Sequence, residues 1–373
     1  MPSLEFAHLA NLASASGIDA FGATDASEFT DARQVIEQRK ARGLHGGMWF
    51  TYGRPERSAD PSRILPGAKT ILVGALAYYR PQPPSPTEAK APALVGRFVW
   101  QPFYDELAAR LEVVASHLRA AGAQAVVVLD DNRLIDRAAA HRAGLGWFGK
   151  NTMLLLEGAG SWFVLGSIVT DAEVDVTTGE VPDGCGTCVR CQIACPTGAL
   201  DTAGELDARR CLAWLLQADG VFPAEHRVAL GARIYGCDDC QEVCPPNVRF
   251  IRSRDDSAQA TPQQAWSDAV DMLNCTDDQL LESHGAWYIP RRRPEYLRRN
   301  ALVVLANVAD PQDPDIADVI ERCLSSDQAL VVAHAVWAAK RLGLDRLVDH
   351  IAAEVAADPI VQAELARHVD ARR

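Results

Sequence analysis

Short apolar runs closed by turn residues alternate with stretches of helical period through roughly the first 178 residues of the chain. AFGAT from Ala20, TILVGALAYY from Thr70, AVVVLD from Ala125, NTMLLL from Asn151 and SWFVLGSIVT from Ser161 predict strands: each is a compact block of apolar and β-branched residues between polar or glycine punctuation. Phe29 to Arg42, Tyr104 to Ala121 and Leu134 to Ala143 predict helices, and the opening MPSLEFAHLANLASASG predicts an amphipathic one carrying Leu4, Leu9 and Leu12. RPQPPSPTEAKAP, after Tyr79, is too rich in proline to pack as an element and predicts an exposed loop. Beyond Ala260 the strand pattern gives way to long helices. Among these, LRRNALVVLANVAD from Leu297 and VVAHAVWAAKRLGL from Val331 resemble each other about one helical hairpin apart, the pattern of a short HEAT-like solenoid whose face docks a large partner.

A chain of 373 residues exceeds what one core usually serves. Three consecutive domains are expected, making a multidomain α+β protein: a mixed α/β domain over 1–178, with mixed sheet order, a small cysteine-rich domain over 179–255 and a helical domain over 256–373. No apolar run approaches the roughly 18 residues of a membrane span. The start of the chain has neither a basic leader nor a twin arginine, so a cytoplasmic protein is expected.

Cysteine spacing sharpens this picture. Eight of the ten cysteines fall between Cys185 and Cys244. CGTCVRCQIACP follows C-x2-C-x2-C-x3-C-P, the bacterial ferredoxin pattern in which three thiolates hold one iron-sulfur cube and the fourth reaches to another. YGCDDCQEVCPPN lacks one such cysteine, and Cys211 supplies it. Two 4Fe-4S clusters need eight thiolates, which predicts Cys185, Cys188, Cys191 and Cys244 on one cluster and Cys195, Cys211, Cys237 and Cys240 on the other. A disulfide framework suits small secreted chains, and structural zinc rarely uses this run. Cys275 and Cys323, isolated in helical surroundings, are expected to be ordinary buried residues.

A formal charge of −12 argues against bulk attraction to nucleic acid. One segment departs from that balance. AWYIPRRRPEYLRRN, Ala286 to Asn300, carries five arginines against one glutamate, interleaved with Trp287, Tyr288 and Tyr296. It can be a phosphate-and-base contact surface or a solvated helix end, and composition does not choose between them.

AGLGWFGKN contains a literal G-x-G-x-x-G, but with helix before and strand after, the reverse of a dinucleotide-binding turn. It predicts a tight loop whose backbone can approach a ligand, with Lys150 and Asn151 at its tip. Upstream, Asp130 and Asp131 end a strand and Asp136 follows in the next helix. Asp131 is expected to cap that helix. Asp130, if it faces a partly apolar pocket beside other carboxylates, would have a raised pKa and could donate a proton.

Together, RAGLGWFGKNTML, SWFVLGSIVTD, LDARRCLAWL, YGCDDCQEVCPPN and LRRNALVVL resemble the epoxyqueuosine reductase family, which completes the modified base queuosine in tRNA. The resemblance implies cobalamin in the α/β domain beside the clusters, and removal of the epoxide oxygen as water for two electrons and two protons. Clusters at roughly −0.4 V or below can reduce the cobalt. An alkoxide leaving at neutral pH needs an acid beside it, and the family's proton donor falls on Asp130. The resemblance also implies Arg57, Arg97, Tyr104, Asp130, Lys150, Asn151, Ser161, Thr170 and Asp238 as cobalamin-pocket residues. It gives Arg291, Arg292, Arg293, Arg298 and Arg299 weight as tRNA contacts. An unidentified low-potential electron donor, no membrane and a monomeric state complete the expectation. Two other readings are a dehalogenase-like corrinoid reductase of small molecules and a two-cluster electron carrier. The chain departs from the family where DDNRLIDR replaces D-T-A-P-V-L-E-R, with Arg133 in place of the proline, in RFVWQPFYDEL, and after Cys211 in LAWLLQADG.

Overall fold

The computed structural model describes residues 5–176, 181–253 and 259–372. Leu4 and the domain boundaries expected at 178/179 and 255/256 lie outside the described residues. Nine strands form among them: β1 (Ala20–Asp25), β2 (Thr70–Ala77), β3 (Pro92–Val95), β4 (Ala125–Val128), β5 (Gly146–Phe148), β6 (Leu154–Leu156), β7 (Phe163–Thr170), β8 (Arg233–Tyr235) and β9 (Trp266–Asp268).

The chain divides into two compact units that interleave along the sequence. Met1–Tyr79, Gln101–Arg209 and Asp238–Ser257 make the first, and Arg80–Trp100, Arg210–Cys237 and Ala258–Arg373 the second. This division cuts across the three consecutive domains expected from the sequence. Short cysteine loops carry too little apolar surface to close a core alone. In the first unit Cys244 and Cys185 instead pack with Trp147 and Leu155 of the β5–β6 hairpin and with Val181.

The first unit is built on a four-stranded sheet in the order β1-β2-β7-β4. Every pair in it is antiparallel, where a mixed order was expected. Helix Phe103–Ala120 buries Leu107, Leu111, Val114 and Leu118, the stripe a 3.6-residue period places on one face. The stripe lies close because Gly74 and Gly166 are paired across β2 and β7, and a Cβ on either would come within 3.0 Å of Leu111. On the other face Ala138, Ala139 and Ala140 of helix Asp136–Arg142 join the core that holds Ile71, Val73, Ala75 and Val169.

The second unit is mainly helical. Helices Glu295–Val308 and Ala329–Arg341 are buried over most of their length and pack on each other, with Pro314–Leu324 and Pro359–Ala366 against the latter. Strands β8, β3 and β9 add a three-stranded sheet. Cys323 is buried here as expected, burial pushing its thiol up to about 11. No helix among the described residues is long and apolar enough to cross a membrane.

Its core holds a fully enclosed ion pair. Arg227 donates to both carboxylate oxygens of Glu364 at 2.9 and 2.8 Å, and to Phe222 O at 3.0 Å, with side-chain exposures of 0% and 2% for the pair. His334 beside it stays neutral, since burial and then the Arg227 charge hold its pKa well below the ordinary value. Its Nε2 accepts the Phe222 N–H at 3.1 Å. Glu364→Ala strands the Arg227 charge, so a loss of about 3–5 kcal/mol is expected. A denaturant midpoint for the helical transition equal to wild type would refute that role.

Candidate functional site

Sheet register decides which of the expected residues can meet. β2 runs out at Ala77, opposite Phe163 at the start of β7, and β4 runs out at Val128, opposite Ser167. Tyr78, Ser161 and the turn at Asp130 therefore leave the sheet at the same end. Thr170 closes β7 at the other end, opposite Thr70 and Ala125, nine residues or roughly 30 Å of extended chain from Ser161. Its buried hydroxyl donates to Gln124 O at 2.6 Å. Thr170 and Ser161, both expected at the cofactor, thus stand at opposite ends of β7.

At the shared end a buried polar network joins the sheet to the second cysteine run. Ser161 Oγ donates to Gln241 Oε1 at 3.0 Å and accepts from Asn247 Nδ2 at 3.0 Å, while its N–H donates to Asn247 Oδ1 at 2.5 Å. Only glycine fits before it, since a Cβ on Gly160 would lie 2.0 Å from Asn247 Oδ1. Ser161 was expected to touch cobalamin, but its hydroxyl is spent on positioning this run. Tyr78 donates to Gln241 Oε1 at 3.2 Å. Its pKa stands well above the ordinary value because of burial and then the charge of Asp238, with Tyr104 and Cys240 adding and the Gln241 bond opposing. Tyr104 and Asp238 therefore lie within electrostatic reach of Tyr78. Gln241 and Asn247, which the sequence reading passed over, look like spacers in CDDCQEVCPPN.

Asp130 sits at φ 47°, a left-handed turn that aspartate tolerates better than most side chains. It keeps an open face to solvent, yet partial burial of the carboxyl and then the neighbouring Asp131 charge raise its pKa. Asp131 does not cap the following helix. Its carboxylate accepts the Arg133 N–H at 2.8 Å and Arg133 Nε at 2.7 Å, closing its own turn. Asp136 is raised well above the ordinary value by burial, then by Asp130, and its Oδ1 has no hydrogen-bond partner among the described residues. A second carboxyl of raised pKa thus stands near the candidate proton donor. Arg57 lines a cavity with Asp131 and Arg133.

The glycine loop packs on its own hairpin. Gly146 pairs with Leu156, and a Cβ on it would lie 2.0 Å from Leu155 O. Lys150 Nζ donates to Gly186 O at 2.6 Å and Cys188 O at 3.0 Å, and Asn151 Nδ2 to Cys240 O at 3.4 Å. Both residues, expected at the cobalamin, here fasten the cysteine loops.

Four of the cysteines converge within the first unit. Burial pushes the Cys244 thiol up to about 11, with Cys185, Cys191 and Cys188 adding and the Asn247 backbone hydrogen bond opposing. Cys191 and Cys244 are buried and each accepts a backbone hydrogen bond, while Cys185 and Cys188 are half-buried within electrostatic reach of them. The iron charge of a cluster would keep such sulfurs as thiolates. Cys195 follows helix Arg190–Ala194 and Cys240 lies on Asp239–Glu242, also in the first unit. Cys211 precedes helix Leu212–Leu215 and Cys237 follows β8, in the second.

Arg97 is buried, donating to Arg80 O at 3.0 Å, in the second unit. The arginine-rich segment separates into two parts. Arg299 is wholly buried and donates to the carbonyls of Leu215, Leu216, Ala218 and Gly220, so it is a structural residue and no RNA contact. Arg298 is mostly covered and pairs with Asp277. Arg291, Arg292 and Arg293 are exposed beside exposed Tyr288, the first two at φ 52° and 56°.

The family model for a 4Fe-4S double cluster binding domain matches residues 184–247. The chain is 31% identical over 335 residues to the epoxyqueuosine reductase of Bacillus cereus, covering 88% of this chain and 87% of that protein. It is 33% identical over 366 residues to that of Xanthomonas campestris, covering 92% and 98%. Its fold matches a crystal structure of epoxyqueuosine reductase with an epoxyqueuosine-modified tRNA-Tyr stem loop at a TM-score of 0.83 and 27% identity, over 96% of each chain.

Proposed function

Because this chain belongs to the epoxyqueuosine reductase family, we propose that it reduces epoxyqueuosine to queuosine at the tRNA wobble position, releasing the epoxide oxygen as water. It is an oxidoreductase with two 4Fe-4S clusters, and cobalamin is the further cofactor we propose for it. When bound, these groups supply low-potential electrons and a strongly reducing, nucleophilic cobalt. The chain's own residues must then place the epoxide, exclude water and deliver protons. Asp130 is the proton donor, and the observation that carries this is its raised acid on an accessible left-handed turn, at the sheet end where Tyr78 and Ser161 emerge. When a carboxylic acid donates to the oxygen as the first C–O bond breaks, the oxygen becomes a neutral hydroxyl on the ring instead of an alkoxide, and a second proton lets it depart as water.

We assign Tyr104 and Asp238 to the cofactor's polar groups, a reading supported by their shared electrostatic reach of Tyr78, while Lys150, Asn151 and Ser161 hold the cysteine runs. Cys185, Cys188, Cys191 and Cys244 bind one cluster. Cys195, Cys211, Cys237 and Cys240 bind the other, an assignment that rests on their spacing in the sequence. Helices Glu295–Val308 and Ala329–Arg341 are read as the HEAT-like pair. We expect a monomer that works in the cytoplasm with a low-potential electron donor.

The decisive assay is anaerobic. Clusters are reconstituted, cobalamin is added, and conversion of epoxyqueuosine-containing tRNA is followed by mass spectrometry. Conversion dependent on both cofactors is expected, and corrinoid binding without conversion would point to another substrate.

Arg291, Arg292 and Arg293 are the RNA-facing cations. Arg291→Glu with Arg293→Glu should weaken tRNA binding at least about tenfold at low salt and reduce the salt slope by about 2. Wild-type affinity and slope in the double variant would leave the segment structural.

A further inference from the structure

A cavity of about 370 Å³ opens beside the Asp130 turn, lined by Trp49, Arg54, Arg57, Ser58 and the stretch Asp131 to Arg133. That volume sits at the lower end of the roughly 300–1,000 Å³ typical of ligand sites. It suits one nucleotide.

Two loops form its walls and are fixed to each other. The Thr51 N–H donates to Asn132 Oδ1 at 2.6 Å, with Thr51 at φ 65°, and Ser58 Oγ donates to Asn132 O. Trp49 is 64% exposed, an unusual state for so large an apolar ring. Its place is nevertheless built. The Gly53 N–H donates to Trp49 O at 2.7 Å, and a Cβ on Gly53 would lie 2.4 Å from Trp49 Cε2. Glycine at 53 therefore makes room for a ring held in the open.

Charge completes the pattern. Arg54, Arg57 and Arg133 meet one carboxylate, Asp131, which Arg133 already pairs. Among the described residues neither Arg54 nor Arg57 has a carboxylate partner, so an excess of positive charge collects here in a chain of formal charge −12. Arg133 is also the residue that stands where the family pattern has proline. A fixed exposed indole flanked by unneutralised guanidinium groups is what a stacked base with its phosphate requires.

We propose that this cavity is a subsite for a nucleotide of the RNA substrate neighbouring the one reduced, its base stacked on Trp49 and its phosphate held by Arg54 and Arg57. The inference rests on the tRNA reading above and gives that site a means of choosing RNA over the free nucleoside.

The test uses enzyme loaded with clusters and cobalamin, comparing an epoxyqueuosine-containing stem loop with the isolated epoxyqueuosine nucleoside. Trp49→Ala should raise KM for the stem loop about 5- to 150-fold, the range that loss of one base–aromatic stack implies. It should leave kcat and the nucleoside KM within about twofold, and Trp49→Phe should recover most of the loss. Arg54→Gln should raise the stem-loop KM and flatten its salt dependence. Unchanged stem-loop KM in Trp49→Ala would overturn the subsite, as would an equal loss on both substrates, which would place the reacting base there. Weaker cobalamin binding, titrated by absorbance, would assign the cavity to the cofactor and also overturn it. If the wild-type enzyme converts neither substrate, the tRNA reading fails on its own. Anisotropy of a labelled stem loop on wild type and Trp49→Ala then still decides the subsite, through the same affinity ratio.

Discussion

Asp130→Asn should retain both clusters and the corrinoid and lower turnover of epoxyqueuosine-containing tRNA by about 10²–10⁴-fold, the usual worth of a positioned general acid. The substitution keeps the shape of the side chain, and asparagine also tolerates the left-handed backbone at φ 47°, so the turn should survive. What it removes is the transferable proton. The pH dependence follows from the direction of the shift. Partial desolvation and then Asp131 raise the Asp130 pKa, and a donor acts only when protonated. Turnover should therefore be sustained below that pKa and lost as pH rises through it, with the active window extending above that of an ordinary aspartate. Product by mass spectrometry across pH, with iron and corrinoid content measured alongside, provides the check. Near-normal turnover in the variant, or a wild-type rate that holds level as pH rises, would remove Asp130 from this role.

Local patterns were legible in the sequence, and nonlocal ones were not. Cysteine spacing is local, so the ligand runs could be read without the fold. Strands β1, β2, β4 and β7 announced themselves through apolar blocks, but their antiparallel order depends on partners far away in the chain. β3, β8 and β9 span four, three and three residues, too short for a period, and PALV follows a proline-rich loop. Thr170 and Ser161 bracket one apolar run, and periodicity cannot tell which end of a strand faces a site. Arg299 could have been read differently. It lies three, four and seven residues before Leu302, Val303 and Ala306, all buried, so helical phase alone turns it inward. Arg291 to Arg293 precede that helix and escape its phase. Lys150 and Asn151 were legible as polar tips, but their partners in the cysteine loops were not.

Cys244→Ala should lower iron from about eight to about four per chain and abolish turnover. Cys244 is the one ligand of its set supplied by the second cysteine run, and the other three come from the first. Its loss leaves Cys185, Cys188 and Cys191 with an incomplete cube, while the second set keeps all its thiolates. The protein should still fold, because the sulfur contributes little volume to a small apolar cluster that keeps Trp147 and Leu155. The network of Ser161, Gln241 and Asn247 also still anchors the run to the sheet. Iron analysis and reduced-state electron paramagnetic resonance separate the outcomes. Eight irons would show that Cys244 is no ligand. Near zero would show that the two sets assemble only together, the anchor being too weak to hold Cys240 in place once its neighbour is gone. Four irons with one cluster signal would establish that each set forms on its own thiolates, and that electrons need both to reach the substrate.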